Sequence, residues 1–360
     1  MNVAPISAAA SSSTKLTVRT LTDGGQQPLE IAHAIADWLG EARTSLELAQ
    51  YDFHLAPETA AVVAGAIHEA SARGVAVRII YNVDHRNPIP VPPPPEPDVQ
   101  LIESLGVPSK AVGGVPDLMH HKFVVRDRQT VWTGSMNWTD DSWSRQENVI
   151  LSVGSPELAE AFVEDFDQLW AKDVVEETGF VAPKRLHVDG LLVRAWFTPG
   201  YGEDLSARIA RQIARAKRRV RICSPVITAA PVLATLAQLV SEGELDVAGC
   251  LDAPQIEGVV YQWRENGNVA WKLPLLERVV AGDFTGKPST PYGTGTVHDF
   301  MHAKIVVADD VVFSGSFNLS RSGEQNAENV LEIHDPVLAE HLSSYVDEVR
   351  RRYPPIRLTG

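Results

Sequence analysis

The chain has 360 residues, 44% hydrophobic and 22% charged, with a net charge of −14 at neutral pH and a pI near 5.2. That composition fits a soluble globular protein of one large or two medium domains and excludes a fibrous or wholly disordered chain. The acidic balance repels nucleic acid and anionic membrane on average, so a polyanionic substrate has to be met by a local positive patch.

Residues 1–13 are rich in Ala and Ser and lack the basic start and apolar run of a signal peptide, which predicts a disordered N-terminus and a cytoplasmic protein. No stretch of about 18 apolar residues follows. A strand is predicted at 15–20 and a turn at Asp23-Gly24-Gly25. Leu29, Ile31, Ala32, Ile35, Ala36, Trp38 and Leu39 recur at helical spacing, so 28–42 reads as an amphipathic helix with Pro28 at its start. A strand at 45–51, a helix at 60–73 stopped by Gly74, and a buried-type strand at 75–81 follow. This alternation implies an α/β layered domain. From 82 to 118 the pattern lapses, and the proline-rich run 87–97 is expected to be a stiff, extended surface loop upstream of the most informative stretch.

That stretch is Met119-His120-His121-Lys122-Phe123-Val124-Val125-Arg126-Asp127, followed by Gly134-Ser135-Met136-Asn137 and Glu147-Asn148-Val149. Residues 122–126 and 131–133 read as a hairpin. His120 and Lys122, two apart on an extended segment, point the same way, which suits a phosphate site: the imidazole attacks or donates a proton while the ammonium holds an oxygen. Ser135 and Asn137 can donate to the same oxyanion, and Gly134 lets the backbone turn there. His121 should face away. A helix at 155–170 closes the half, and 173–185 is the link.

The second half repeats the order, with strands at 191–197, 219–223 and 245–251 and helices at 205–217 and 230–241. Arg208, Arg211, Arg215 and Arg218 form a basic stripe on the first of these helices, read as a solvated face or, alternatively, as a dock for lipid headgroups or a phosphate backbone. Residues 252–297 form an irregular insert carrying Tyr261, Trp263, Trp271, Phe284 and Tyr292. These are packing anchors for a long loop that enters the site from the other side and is placed to wall off substrate. Then the motif recurs as Met301-His302-Ala303-Lys304-Ile305-Val306-Val307-Ala308-Asp309, Gly315-Ser316-Phe317-Asn318 and Glu328-Asn329-Val330. Cys223 and Cys250 lie in apolar, strand-like runs and read as buried reduced thiols rather than a disulfide or zinc site.

One His-x-Lys-x-x-x-x-Asp match arises at roughly one start in 8,000 by chance, but two copies with matched downstream turns do not. The doubled pattern resembles the phospholipase D superfamily from about residue 16 to 353. The resemblance implies two similar α-β-α sandwich halves, 14–175 and 186–355, joined by a linker at 176–185 and related by a pseudo-two-fold axis, with the active site at the seam. It implies that one histidine forms a covalent phosphohistidine while the other protonates the leaving oxygen and then activates water or an alcohol. His120 is taken as nucleophile and His302 as acid and base. Lys122, Lys304, Ser135, Asn137, Ser316 and Asn318 would hold phosphoryl oxygens. Glu147 and Glu328 would each accept a hydrogen bond from the catalytic histidine of the opposite half, and Asp127 and Asp309 would orient the motif without touching substrate. No metal, cofactor or obligate protein partner is implied. The substrate expected from the resemblance is a phospholipid phosphodiester, which would allow peripheral membrane contact; the alternative is single-stranded DNA or RNA, because the first motif is similar to the compact nuclease and cardiolipin-hydrolase branch. A non-catalytic scaffold would have eroded one motif, and neither is eroded.

Overall fold

The computed structural model describes residues 15–83, 98–113, 117–172, 174–291, 293 and 295–358. The N-terminal segment 1–13, the proline-rich run 87–97 and Tyr292 lie outside the described residues. The first half runs β1 (Leu16–Leu21), α1 (Pro28–Gly40), β2 (Ser45–Gln50), β3 (Phe53–His54), α2 (Pro57–Ala72), β4 (Ala76–Val83), α3 (Val99–Ser104), β5 (Ser109–Gly113), β6 (Lys122–Arg126), β7 (Thr130–Gly134), β8 (Trp138–Thr139), α4 (Asp140–Ser144), β9 (Asn148–Gly154) and α5 (Pro156–Lys172). The second runs β10 (Leu186–Val188), β11 (Leu191–Thr198), α6 (Gly202–Arg215), β12 (Arg219–Cys223), α7 (Ala230–Glu242), β13 (Asp246–Asp252), α8 (Ala253–Glu265), α9 (Leu273–Val280), β14 (Asp283–Lys287), β15 (Ile305–Ala308), β16 (Val311–Gly315), α10 (Arg321–Gln325), β17 (Glu328–His334) and α11 (Pro336–Arg352).

The sheets are ordered β1-β9-β7-β6-β2-β4-β5 and β10-β11-β17-β16-β15-β12-β13-β14. Leaving out β10, the two orders match strand for strand, which makes the halves repeats of one mixed sheet. In each, a crossover helix joins a parallel pair, α2 between β2 and β4 and α7 between β12 and β13. The motif strand sits beside that pair in a hairpin, β6 with β7 and β15 with β16.

Side-chain alternation sorts the layers. Val124 joins Ile31, Ile35 and Val63 of α1 and α2 in an outer core, whereas Phe123 and Val125 face inward. In the second half Leu205, Ile209 and Leu233 cover the outer face. Between the sheets lie α5 and α11, whose Phe162, Phe166, Leu342 and Val346 share one core with Phe123, Leu151, Val307 and Leu331. Each half is therefore a sandwich whose inner helix layer is held in common. The Cys223 and Cys250 thiols are buried, free and paired in register across β12 and β13. Among the described residues no helix is long and apolar enough to cross a membrane.

Two expected irregular stretches are partly ordered. The 252–297 insert forms α8, a 3-10 turn, α9 and β14; Pro254 and Pro274 fall in the first turns of α8 and α9, where a missing N–H costs nothing. Asp252 caps α8 by accepting from Gln255 N (3.2 Å). Likewise Asp98 caps α3, which leads into β5. Gly134 and Gly315 serve close approach and not a turn: a Cβ would lie 2.0 Å from Val149 O and 2.1 Å from Asn329 O respectively.

Candidate active site

The two motif strands end at the seam, where the start of each Glu-Asn-Val strand reaches across. His120 N donates to Ala327 O (2.9 Å), and Glu147 bridges Met301. In this way the segment before each histidine is stitched to the other half. Asn82 accepts from Met119 N at 3.1 Å and Asp252 from Met301 N at 2.9 Å, so both histidine segments are also fixed from within their own sheets.

His120 is 6% exposed and His302 8%. His120 Nδ1 lies 2.8 Å from Glu328 Oε2, across the seam. His302 Nδ1 lies 3.1 Å from Asn148 Oδ1, also across the seam. Here the expectation for Glu147 is corrected: its carboxylate is taken by Lys287 Nζ (2.8 Å) and the Tyr353 hydroxyl (2.5 Å), and the neighbouring Asn148 serves the histidine. The orientation of that amide follows from its bonds. Asn148 Nδ2 donates to Ser142 O (3.0 Å) and Ser142 Oγ (3.1 Å), which turns Oδ1 toward His302. An acceptor at Nδ1 leaves Nε2 of each ring for chemistry.

Lys122 Nζ donates to the His120 carbonyl (2.8 Å) and Lys304 Nζ to that of His302 (2.7 Å). Burial, then the two lysines, pushes His120 well below the usual histidine range; the adjacent Ser316 backbone, from the opposite half, acts the other way. For His302 the same follows from burial, Lys304, Lys122 and His120, opposed by the Ser135 backbone. The motif histidines and lysines of the two halves thus lie within electrostatic reach of one another, which disfavours their charging together. Burial brings Lys122 down to about 7 despite Glu328 and Asp52, and burial with Lys122 holds Lys304 well below the usual lysine range. Burial lifts Glu328 to about 7, against Lys122, the Ser316 hydroxyl and Lys304.

Other expected site residues divide into two groups. The Asn137 and Asn318 carboxamides each keep an oxygen without a hydrogen-bond partner. The serines do not: Ser135 Oγ donates to Asn148 Oδ1 (2.7 Å) and accepts from Val149 N (3.0 Å), while Ser316 Oγ accepts from Asn329 N (3.0 Å). The expectation that these hydroxyls hold phosphate is therefore corrected, because they brace the neighbouring strand. Asp127 accepts from the backbone of Arg43 (2.9 Å), Thr44 (2.6 Å) and Ser45 (3.1 Å); Asp309 does so from Lys217 (2.7 Å), Arg218 (2.9 Å) and Arg219 (3.1 Å). They anchor the far end of the motif strand, in positive-φ turns at 56° and 54°. His121 does turn from the site, with Nε2 2.9 Å from Asp165 Oδ2 and Nδ1 3.3 Å from Asn329 Oδ1. In the basic stripe, Arg208 reaches inward to the buried Glu332 (2.5 Å), whereas Arg218, past the end of α6, pairs with Asp310 (2.5 Å) on the surface.

Sequence reasoning missed Asn148 as a histidine partner, although the repeated Glu-Asn-Val pointed to its position. It also missed Tyr51 and Asp52. The Tyr51 ring lies 4.5 Å from that of His120 and 4.6 Å from Lys122 Nζ. Asp52 is buried, and burial pushes its carboxyl up to about 8 against the pull of Lys122. Neither has a repeat counterpart, so no pattern marked them.

The family described as Cardiolipin synthase, PLD-like domain, matches residues 35–170 and 209–350, and so covers both halves. Mitochondrial cardiolipin hydrolase from Homo sapiens is 27% identical over 146 residues, 41% of this chain and 53% of that protein. Phospholipase D from Rickettsia bellii is 28% identical over 132 residues, 37% of this chain and 60% of that protein. The chain spans about half the length of the curated relatives it matches. Among solved structures, phosphatidylserine synthase from Haemophilus influenzae Rd KW20 aligns with a TM-score of 0.63 at 14% identity, covering 93% of this chain and 86% of that one. Polyphosphate kinase from Porphyromonas gingivalis aligns at 0.56 and 14% identity, covering 94% and 50%. Those two likenesses speak to the fold alone. With a family match across both repeats and both motif pairs meeting at the seam between them, this chain belongs to the PLD-like domain family.

Proposed function

We propose that the protein is a phosphodiesterase of phospholipase D type, cleaving phospholipid phosphodiester bonds through a phosphohistidine and able to pass the phosphatidyl group to an alcohol. One observation carries the reading: His120 and His302 converge with Nδ1 engaged across the seam, between two buried lysines. His120, neutral and with Nδ1 turned to Glu328, attacks phosphorus through Nε2. The P–O bond to the leaving group breaks as His302 gives its proton to that oxygen. His302, now neutral, takes a proton from water or an alcohol, whose oxygen attacks the phosphohistidine and releases His120. Lys122, Lys304, Asn137 and Asn318 surround the phosphoryl oxygens, and the arriving negative charge favours protonation of the lysines and of His302.

The lipid reading draws support from the relatives named cardiolipin hydrolase and phospholipase D. Tyr261 and Trp271, 68% and 56% exposed, are amphipathic side chains suited to a lipid surface. The test is one incubation with short-chain phosphatidylcholine and ethanol, alongside labelled single-stranded DNA and RNA. Phosphatidylethanol supports the reading, since a trapped phosphatidyl-enzyme is what delivers the group to ethanol. Cut oligonucleotides with intact lipid overturn it in favour of a nuclease.

A further inference from the structure

Glu147 and Glu328 hold the same place in the two repeats, yet only Glu328 meets a catalytic histidine. The difference arises on the edge strands. Lys287 ends β14 in register with Asp252, and Val112 holds the matching place on β5 in register with Asn82. Asn82 and Asp252 fix the correspondence, since each accepts the backbone N–H just ahead of its motif histidine. Where the first half buries an apolar side chain, the second buries an ammonium, with Lys287 2% exposed.

Lys287 Nζ donates to Glu147 Oε2 (2.8 Å) and Arg145 O (2.8 Å), and lies 3.3 Å from Asp23 Oδ2. Tyr353 donates to Glu147 Oε1, and Asp23 N bonds that oxygen at 3.4 Å. Arg352 stands 3.9 Å away, and Tyr345, Cys223 and Cys250 lie within the same electrostatic neighbourhood. Both oxygens of Glu147 are thereby occupied, although its backbone bridges Met301, the residue before His302. A matching substitution lies in the motif, where His121 is replaced by Ala303. In the first half His121 occupies Asn329, so His120 takes the carboxylate; in the second no such imidazole competes for Asn148, which takes His302.

We propose that Lys287, aided by Tyr353, is a positioning residue that captures Glu147 and leaves His302 an uncharged partner, so that the two histidines cannot exchange roles. The proposal rests on the assignment of His120 as nucleophile and His302 as acid and base. A carboxylate against an imidazole favours the imidazolium, whereas a carboxamide adds no charge. His302 has both to release a proton and to take one up within a turnover, and a carboxylate beside it would resist the release to the leaving oxygen in the first step. Besides the neutral Asn148 amide, the ionisable groups acting on His302 are Lys304, Lys122 and His120, and all three push its pKa down, so an upward shift in the variant has to come from the freed Glu147.

The experiment is an NMR titration of the His302 imidazole in histidine-labelled protein, its signal assigned with His302→Asn. In Lys287→Met the His302 pKa should rise by about one unit or more as Glu147 is released. In Lys287→Met/Glu147→Gln it should return to the wild-type value, and in Glu147→Gln alone it should not move. An unmoved His302 in a folded Lys287→Met protein, or a His302 shifted by Glu147→Gln alone, overturns the proposal. Should Lys287→Met not fold, the Glu147→Gln titration decides by itself. The role assignment is judged separately by trapping labelled phosphoenzyme: label on His302 and not on His120 sinks that assignment whatever the titration gives.

Discussion

His120 and Glu328 stand 208 positions apart in the chain and on opposite halves, yet Nδ1 and Oε2 are 2.8 Å apart. An acceptor there fixes the ring tautomer and, in the proposed mechanism, would steady the positive charge of a phosphohistidine. Glu328→Gln keeps the acceptor shape but removes the charge. We expect kcat to fall about 10²-fold with KM little changed, measured on short-chain phosphatidylcholine. A change confined to KM, or to thermal stability, would mean that Glu328 only holds the halves together.

The proposed chemistry places its positive charge on Lys122 and Lys304, beside the histidine carbonyls. Turnover is accordingly expected to persist in excess EDTA. Loss of activity on chelation, restored by adding back a divalent cation, would show that these lysines do not suffice.

What could be read from the sequence was largely what occurs twice. The His-x-Lys pairs, the Gly-Ser-x-Asn turns and the apolar periodicity around them located both motif hairpins, and α1 was placed within two residues of its observed end at Gly40. Asp52, Lys287 and Tyr353 occur once, and their importance depends on which strand or helix packs beside them. Spacing along one strand says nothing about its neighbour, so Glu147 and Glu328 looked equivalent until Lys287 and Val112 were seen on the adjoining edges. The helices of the 252–297 insert went unread for a different reason: Pro254 and Pro274 open them, and the same residue type also ends helices.

Gly134 supplies a packing test. A methyl group there would sit 2.0 Å from Val149 O, inside the β7–β9 ladder that presents Asn148 to His302. Gly134→Ala should cost about 1–3 kcal/mol in urea unfolding and lower kcat as well. An equally stable, equally active variant would show that the strands can part without disturbing the seam.

Glu332 is buried at 1% exposure and accepts from Arg208 Nη2 (2.5 Å) and Trp196 Nε1 (3.0 Å), with His334 Nε2 at 3.1 Å. Burial opposes its ionisation, but Arg208, His334 and Trp196 prevail and hold it down to about 2. A folded-state pKa below the unfolded one contributes stability above the unfolded value, lost as pH falls through the folded value. The contribution is about 3 kcal/mol at neutral pH, fading between about pH 5 and pH 2. Glu332→Gln should therefore be less stable than wild type at about pH 6, with the gap closing on acidification. A gap constant with pH would trace the loss to packing and not to charge.

Lys122 ties anion binding to pH. Burial brings its ammonium to about 7, so above that value it is mostly neutral in the free protein. An anion held against Nζ favours the charged form, and binding then takes up a proton. Sulfate, which does not titrate near neutrality, should bind about tenfold more weakly for each pH unit above 7, and calorimetry in buffers of different ionisation enthalpy should register proton uptake. Lys122→Met should weaken binding at about pH 6 and flatten the slope above 7. Sulfate affinity that stays level from about pH 6 to pH 9 would place the anion elsewhere than between these lysines, and with it the phosphoryl group of the substrate.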